Sequence, residues 1–277
     1  MKNDNKSIIV VLYGPSCSGK DTIKDRLIKD IPNIKYLVPY TTREQREYEE
    51  DGKDYFFIKD DDIFNLLGEI DERRIYTKID SYGKTTKVVY GHKLPDPDKK
   101  GEIYVAVTAY EGVEFFLQQA DKFTIIPVYL NTPLDARVYR YLARENIDIN
   151  NRCIINVFNK LREIVRRIED EEKIYTNDNM NKLYDKFPDI TFHKIPNGTG
   201  SYRSVGILVT DLKHIIYDYM DIKTVMTSVC SILEKTNNIM KQDTLIDECP
   251  IMNNFKSFGN GMSNILDLVN YVKGDNK

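Results

Sequence analysis

Apolar and polar positions alternate along this chain in blocks that read as strands and helices in turn. Ser7–Tyr13 (SIIVVLY) is a continuous β-branched apolar run, which predicts a parallel strand buried on both faces. A glycine-bounded loop, Gly14–Gly19, follows it. Lys20–Ile31 then carries Ile23, Leu27 and Ile28 at helical spacing. Two further buried strands are predicted at Ile103–Thr108 and Phe123–Leu130, with a helix over Glu111–Ala120 between them. Thr132 and Pro133 read as the N-cap and first position of a helix running to about Glu145. Asn150–Glu172 reads as a long arginine-rich helix, and Asp189–Ile195 as a strand before the turn Asn197–Ser201. From about Ser204 the pattern is mostly helical, less regular around Asp247–Met262.

The stretch between Lys35 and Leu94 differs. Short strand-like pieces (Tyr55–Ile58, Lys87–Tyr90) alternate with charged turns, and a short helix is predicted from Asp60–Asp62 through Leu67. The segment Pro95–Gly101 is rich in Pro, Asp and Lys and reads as a linker. Strands alternating with helices predict an α/β core with a parallel sheet. The insert at 35–98 reads as a smaller mixed subdomain.

Composition narrows the range of partners. The chain has 277 residues, 41% apolar and 30% charged, with Lys+Arg 40 against Asp+Glu 43 and a net charge of −3. Such a balance argues against broad electrostatic binding to nucleic acid or an anionic membrane. No apolar run approaches the roughly 18 residues of a membrane span, and no signal peptide is visible, so a cytoplasmic location is expected. Cys17, Cys153, Cys230 and Cys249 are scattered without metal or CxxC spacing, which predicts reduced thiols.

The first chemistry lies in Gly14-Pro15-Ser16-Cys17-Ser18-Gly19-Lys20, which fits G-x-x-x-x-G-K. The glycines let successive backbone N–H groups turn toward one point. The helix that follows aims its positive N-terminal end there, and Lys20 adds a full charge for the β- and γ-phosphates. The hydroxyl residue expected after the lysine is replaced by Asp21, with Thr22 next. Asp21 and Thr22 can serve Mg²⁺, directly or through water, because that ion prefers oxygen ligands and keeps several waters.

Thr41-Thr42-Arg43-Glu44-Gln45-Arg46, followed by Asp51-Gly52-Lys53-Asp54-Tyr55-Phe56, supplies a second site. Two arginines three positions apart can grip one phosphate from two sides, and a tyrosine hydroxyl can add a bond. Here the sequence resembles the guanylate kinase family, whose members carry T-T-R-x-x-R and D-G-x-D-Y-x-F at this interval behind G-P-S-x-x-G-K-x-T. The similarity runs from about residue 6 to about residue 220. It implies a P-loop three-layer α/β/α fold with core segments 6–34, 101–132 and 186–221. To these it adds an acceptor-binding insert at 35–98 and a lid at about 133–172. Residues 1–221 would form this domain, and 222–277 a helical C-terminal extension.

The resemblance implies ATP as donor, with Mg²⁺, and GMP or dGMP as acceptor. Thr41, Arg43, Arg46 and Tyr55 would hold the acceptor phosphate. Glu72 would read guanine, since a carboxylate accepts from both N1–H and the 2-amino group. Tyr90, in Tyr90-Gly91-His92, would complete the site, with Tyr82 as the alternative. The chain departs from the family pattern at three places. Pro39 or Tyr40 stands where a Ser precedes T-T-R, and His92 stands for Ser/Thr. Val107 and Ala109 stand for two aspartates of D-x-D-x-Q-G.

Arg137, Arg140 and Arg144 share one helix face, and Arg162 and Arg166 repeat the pattern, with Arg167 adjacent. Arg140-Tyr141-Leu142-Ala143-Arg144 resembles the family's lid motif R-L-x-x-R-G. The resemblance implies that Arg144 and Arg166 join Lys20 and Arg43 in stabilising the transferred phosphoryl group, with Arg140 on ATP. A solvated basic face with local ion pairs is the competing reading. Asn197 would lie near the adenine, or is a plain turn residue.

Three functions stay open from sequence: guanylate phosphorylation, phosphorylation of another nucleoside monophosphate, and a silent binding or scaffold module. In the C-terminal stretch, Val225, Val229, Ile232 and Leu233 form one apolar stripe and Ile265, Leu268, Val269 and Val272 another. Both suit docking on the core or homodimer formation.

Overall fold

In the computed structural model, the run Ile8–Tyr13 is strand β1, and every one of its side chains is buried. The structure describes residues 6–58, 70–79, 85–144, 154–197 and 205–220. The expected helix at 60–67, Tyr82, and both C-terminal stripes fall outside the described residues. By chain contacts there are two units, Met1–Ile216 and Tyr217–Lys277; the description below concerns the first.

β1 lies at the centre of a five-stranded sheet of order β2-β7-β1-β8-β9, formed with β2 (Ile34–Tyr36), β7 (Ile103–Thr108), β8 (Thr124–Asn131) and β9 (His193–Pro196). All its pairings are parallel; Val10 stands between Val105 and Ile126. Both faces of β1 must be apolar because helices cover both. Ile9, Val11 and Tyr13 face a cluster with Val113, Phe116 and Leu117 of α2 (Tyr110–Leu117) and Met180 and Leu183 of α5 (Asn177–Lys186). Helix α1 (Lys20–Asp30) packs Ile23 and Leu27 against β1, β2 and β7. Each such buried aliphatic side chain stabilises the fold by about 1.5–3 kcal/mol.

α5 has no counterpart among the predicted elements. Its sequence is mostly polar, but Thr176 caps it by accepting from the Asn179 N–H. Tyr110 ties it to α2 by donating to the Asn179 carbonyl at 2.8 Å. The predicted strand at 189–195 is shorter than expected: only His193–Pro196 pairs with β8.

The insert carries a second sheet of order β4-β3-β6-β5, made of β3 (Tyr40–Thr41), β4 (Phe56–Phe57), β5 (Glu72–Ile79) and β6 (Thr85–His92). β5 and β6 form an antiparallel ladder from Glu72↔His92 to Ile79↔Thr85. The sequence E-R-R-I-Y-T hides β5, because its polar residues point inward: Glu72 is buried while Ile75 is 68% exposed. α3 (Leu134–Arg144) and α4 (Ile154–Ile174) occupy the region read as a lid. α6 (Val205–Tyr219) buries Leu208, Val209, Leu212 and Ile216. Among the described residues no helix is long and apolar enough to cross a membrane.

Candidate functional site

The phosphate loop leaves the C-terminal end of the central strand, where ligands of open parallel sheets bind. Its tightness explains its residues. Gly19 has φ +89°, and a Cβ there would stand 2.7 Å from the Asn197 side-chain nitrogen. Cys17 takes a left-handed conformation at φ 58° within the turn. The Lys20 ammonium donates to the carbonyls of Gly14 (2.7 Å) and Pro15 (2.9 Å) and to Ser18 Oγ (3.4 Å). Burial pushes its pKa down, against the pull of Asp21 and Glu171. Asp21 and Thr22 are exposed in the first turn of α1.

Four elements converge on the loop. Thr132, at the end of β8, donates its hydroxyl to the Ser18 carbonyl at 3.0 Å. The expectation that it opens the next helix is corrected in part: that helix begins at Leu134, beyond Pro133. Asn197, after β9, donates its amide to the same Ser18 carbonyl at 2.7 Å. Asn197 is therefore buried against the loop and is more than a turn residue. Arg140 of α3 donates to the carbonyls of Cys17 (3.2 Å) and Asn197 (3.3 Å). Arg144 lies over the Tyr141 ring, 4.7 Å from its centroid, and its charge opposes the rise that burial imposes on the Cys17 thiol.

Arg137 overturns the reading of this helix face as solvated. It is only 2% exposed and the largest fully buried side chain among the described residues. Its guanidinium donates to the Ser16 carbonyl (3.2 Å), to Glu172 (2.7 Å) and to Glu171. Glu171 in turn accepts from the Ser16 N–H at 2.9 Å. Arg166 meets Asp170 at 3.9 Å, one turn along α4, and its side chain is 42% exposed. Arg167 reaches Tyr141 and Glu163, both at 3.5 Å.

The second cluster stands on β3, β4 and the turn between them. Arg43 pairs with Glu49 through two hydrogen bonds of 2.7 and 2.6 Å, and its guanidinium lies 4.8 Å from the Tyr55 ring centroid. Glu49 also accepts the Arg46 backbone N–H at 3.0 Å and lies 3.4 Å from its guanidinium. Burial alone would raise the Glu49 pKa; the bonds from Arg43 and Arg46 outweigh it and hold the carboxyl below its usual range. Thr41 is buried, donates to the Val89 carbonyl and accepts from the Arg43 N–H, so it shapes the loop beneath the arginine. Tyr55 meets Tyr90 edge-on at 6.0 Å, and burial together with the Asp21 charge pushes the Tyr55 hydroxyl up to about 12.

Glu72 sits opposite His92 in the β5–β6 register and receives a bond from its Nδ1 at 3.0 Å. Arg74 donates to both Glu72 oxygens. Burial would raise the Glu72 pKa, but His92 and Arg74 hold it low. Sequence reasoning named Glu72 and passed over Arg74, Glu49 and Glu171. Glu49 had a signal, a carboxylate three positions after Arg46 and six after Arg43. Glu171 had none, since it meets the loop across 155 positions of chain.

A parallel sheet with a glycine loop between its first strand and first helix defines the P-loop class of α/β proteins. The family profile described as Guanylate kinase matches residues 6–194. A guanylate kinase of Malacoplasma penetrans is 26% identical over 198 residues, covering 70% of this chain and 97% of that one. Guanylate kinases of Corynebacterium efficiens and Thermotoga maritima match shorter segments. The first is 50% identical over 50 residues (18% of this chain, 26% of that one), the second 44% over 62 (22% and 30%). A solved guanylate kinase from Anaplasma phagocytophilum superposes with a TM-score of 0.46 at 18% identity, covering 79% of this chain and 89% of that chain. The chain belongs to the guanylate kinase family.

Proposed function

We propose that this protein transfers the γ-phosphoryl group of ATP to the phosphate of GMP or dGMP. The observation that carries this is Arg43, held in a fixed fork by Glu49 beside Tyr55 and Tyr90, in the same unit as an intact phosphate loop. Glu49 takes one N–H from each terminal nitrogen, so the Nε–H and the adjacent terminal N–H are the edge left for a phosphate. In this reading Gly14–Thr22 take the ATP phosphates, Arg140 and Asn197 brace the loop, and Arg43, Arg46, Tyr55 and Tyr90 hold the acceptor phosphate. Thr41 supports Arg43, and Glu72 borders the base.

The acceptor oxygen attacks the γ-phosphorus in line, the bond from that phosphorus to the β,γ-bridging oxygen breaks, and ADP leaves. No protein nucleophile is needed, because positioning and charge neutralisation supply the catalysis. Lys20 and Arg144 face the transferred group; Arg166 joins them only if closure takes it from Asp170. Asp21 and Thr22 would hold Mg²⁺ together with phosphate oxygens and water. They are exposed beside Lys20, so their oxygens are open to an ion held by one or two protein oxygens plus substrate phosphates, and such an ion would supply charge neutralisation. The test is a panel of nucleoside and deoxynucleoside monophosphates with ATP. Fastest turnover of GMP and dGMP is expected. Turnover of a different base alone refutes the guanine assignment, and transfer to no acceptor refutes the kinase.

A further inference from the structure

The acceptor base must be read by something other than the hydroxyls and aspartates whose places Pro39 or Tyr40, His92, Val107 and Ala109 take. On the inward face of β5, Arg74 stands between Glu72 and the start of α2. Its Nε and one terminal nitrogen bond the Glu72 carboxylate, the latter at 3.3 Å. Two positions further along β5, the Tyr76 hydroxyl donates to Glu111 of α2 at 3.0 Å. Tyr76 meets Tyr90 edge-on at 5.7 Å, and Tyr90 meets Tyr55, so this network adjoins the acceptor-phosphate cluster.

Three details single out Arg74. Glu72 and His92 are sealed, with side chains 3% and 1% exposed, whereas Arg74 retains 12%. Position 112 is a glycine, and a Cβ there would stand 3.0 Å from the Arg74 Cζ and 2.1 Å from Thr108 Oγ1. The guanidinium and the Thr108 hydroxyl therefore converge on the first turn of α2, and Thr108 Oγ1 is buried without a hydrogen-bond partner among the described residues.

We infer that Arg74 is the specificity-determining residue of the acceptor site: it donates to the 6-oxo group of a purine, and Glu72 and His92 aim it. This rests on the nucleotide-kinase reading above. A guanidinium is the usual donor to the O6/N7 edge of guanine, and it rejects a 6-amino group, which is itself a donor there. The substrate class is therefore the 6-oxopurine monophosphates, GMP and IMP, against AMP. A contact from Arg74 to the 6-oxo group leaves GMP and IMP undistinguished.

The experiment compares kcat and KM for GMP, IMP and AMP in the wild type, Arg74→Ala and Arg74→Lys, with KM for ATP and the thermal midpoint as controls. Arg74→Lys keeps a charge beside Glu72 and guards against a variant that does not fold. The expected result is a loss of roughly ten- to a hundredfold in kcat/KM for GMP and for IMP, with AMP and KM for ATP unmoved. An equal loss on all three acceptors, or none, overturns the assignment. Calorimetric binding of the same monophosphates separates this from failure of the kinase reading. Selective GMP and IMP binding that disappears in both variants, without turnover, sustains Arg74 and refutes the kinase. No preference for GMP and IMP over AMP in the wild type refutes Arg74.

Discussion

Glu171 accepts a hydrogen bond from the Ser16 N–H at 2.9 Å, placing a carboxylate from α4 on the backbone of the phosphate loop. A partly buried carboxylate on this loop is tolerable only if it is neutralised, and Arg137 does this while donating to the Ser16 carbonyl. Replacing Arg137 by Ala leaves Glu171 and Glu172 without their partner. The expected cost is about 3–5 kcal/mol of stability, the usual range for breaking a buried pair from one side. Urea unfolding of Arg137→Ala measures it, and a loss below 1 kcal/mol would assign the pair to the surface class.

Glu49 should act through Arg43. In Glu49→Gln the fork loses its charge-assisted partner, so Arg43 is free to turn toward Tyr55 and Phe57. KM for the acceptor is expected to rise roughly ten- to a hundredfold, the equivalent of a hydrogen bond to a charged group, with KM for ATP unchanged. Steady-state kinetics with each substrate varied in turn decides this.

The arginines of α3 and α4 should separate. Arg140 and Arg144 are tied to the loop by hydrogen bonds and charge, whereas Arg166 lies on Asp170. Alanine at Lys20 or Arg144 is expected to lower kcat by about a hundredfold or more. Arg166→Ala should cost less, and an equal loss would mean that closure carries Arg166 to the phosphoryl group. Single-turnover rates at saturating ATP provide the comparison.

Stability should fall on acidification in two stages. Burial depresses His92 below its ordinary 6.5 despite Glu72, and the bonds from His92 and Arg74 hold Glu72 below 4.5. In each case the unfolded chain binds the proton more tightly. His92's contribution is complete above 6.5 and is lost as pH falls toward its folded value. Glu72's is complete above 4.5 and is lost as pH falls through its folded value. Thermal midpoints across this range should lose the upper stage in His92→Gln; an unchanged profile assigns that stage to another group.

Much of this molecule is legible in its residues taken in order. Ile8–Tyr13 can only be a strand covered on both faces, and Gly14–Lys20 can only close tightly because two of its positions are glycine. Arg43, Arg46 and Tyr55 are grouped by local spacing, so the second cluster was visible before any fold was known. Local patterning failed where the burial of polar groups depends on distant partners. β5 reads as a charged loop until Glu72 and Arg74 find His92 and α2, and α5 is concealed because its few apolar residues need the β1 cluster to have a purpose. Arg137, Glu171, Asn197 and Thr132 meet the phosphate loop from segments more than a hundred positions away. Chain order carries no trace of such contacts, because a hydrogen bond depends on distance in space. The phosphate loop is thus determined by its own sequence, whereas the residues that brace it, and the approach of Arg74 to the first turn of α2, were decided only when the strands assembled.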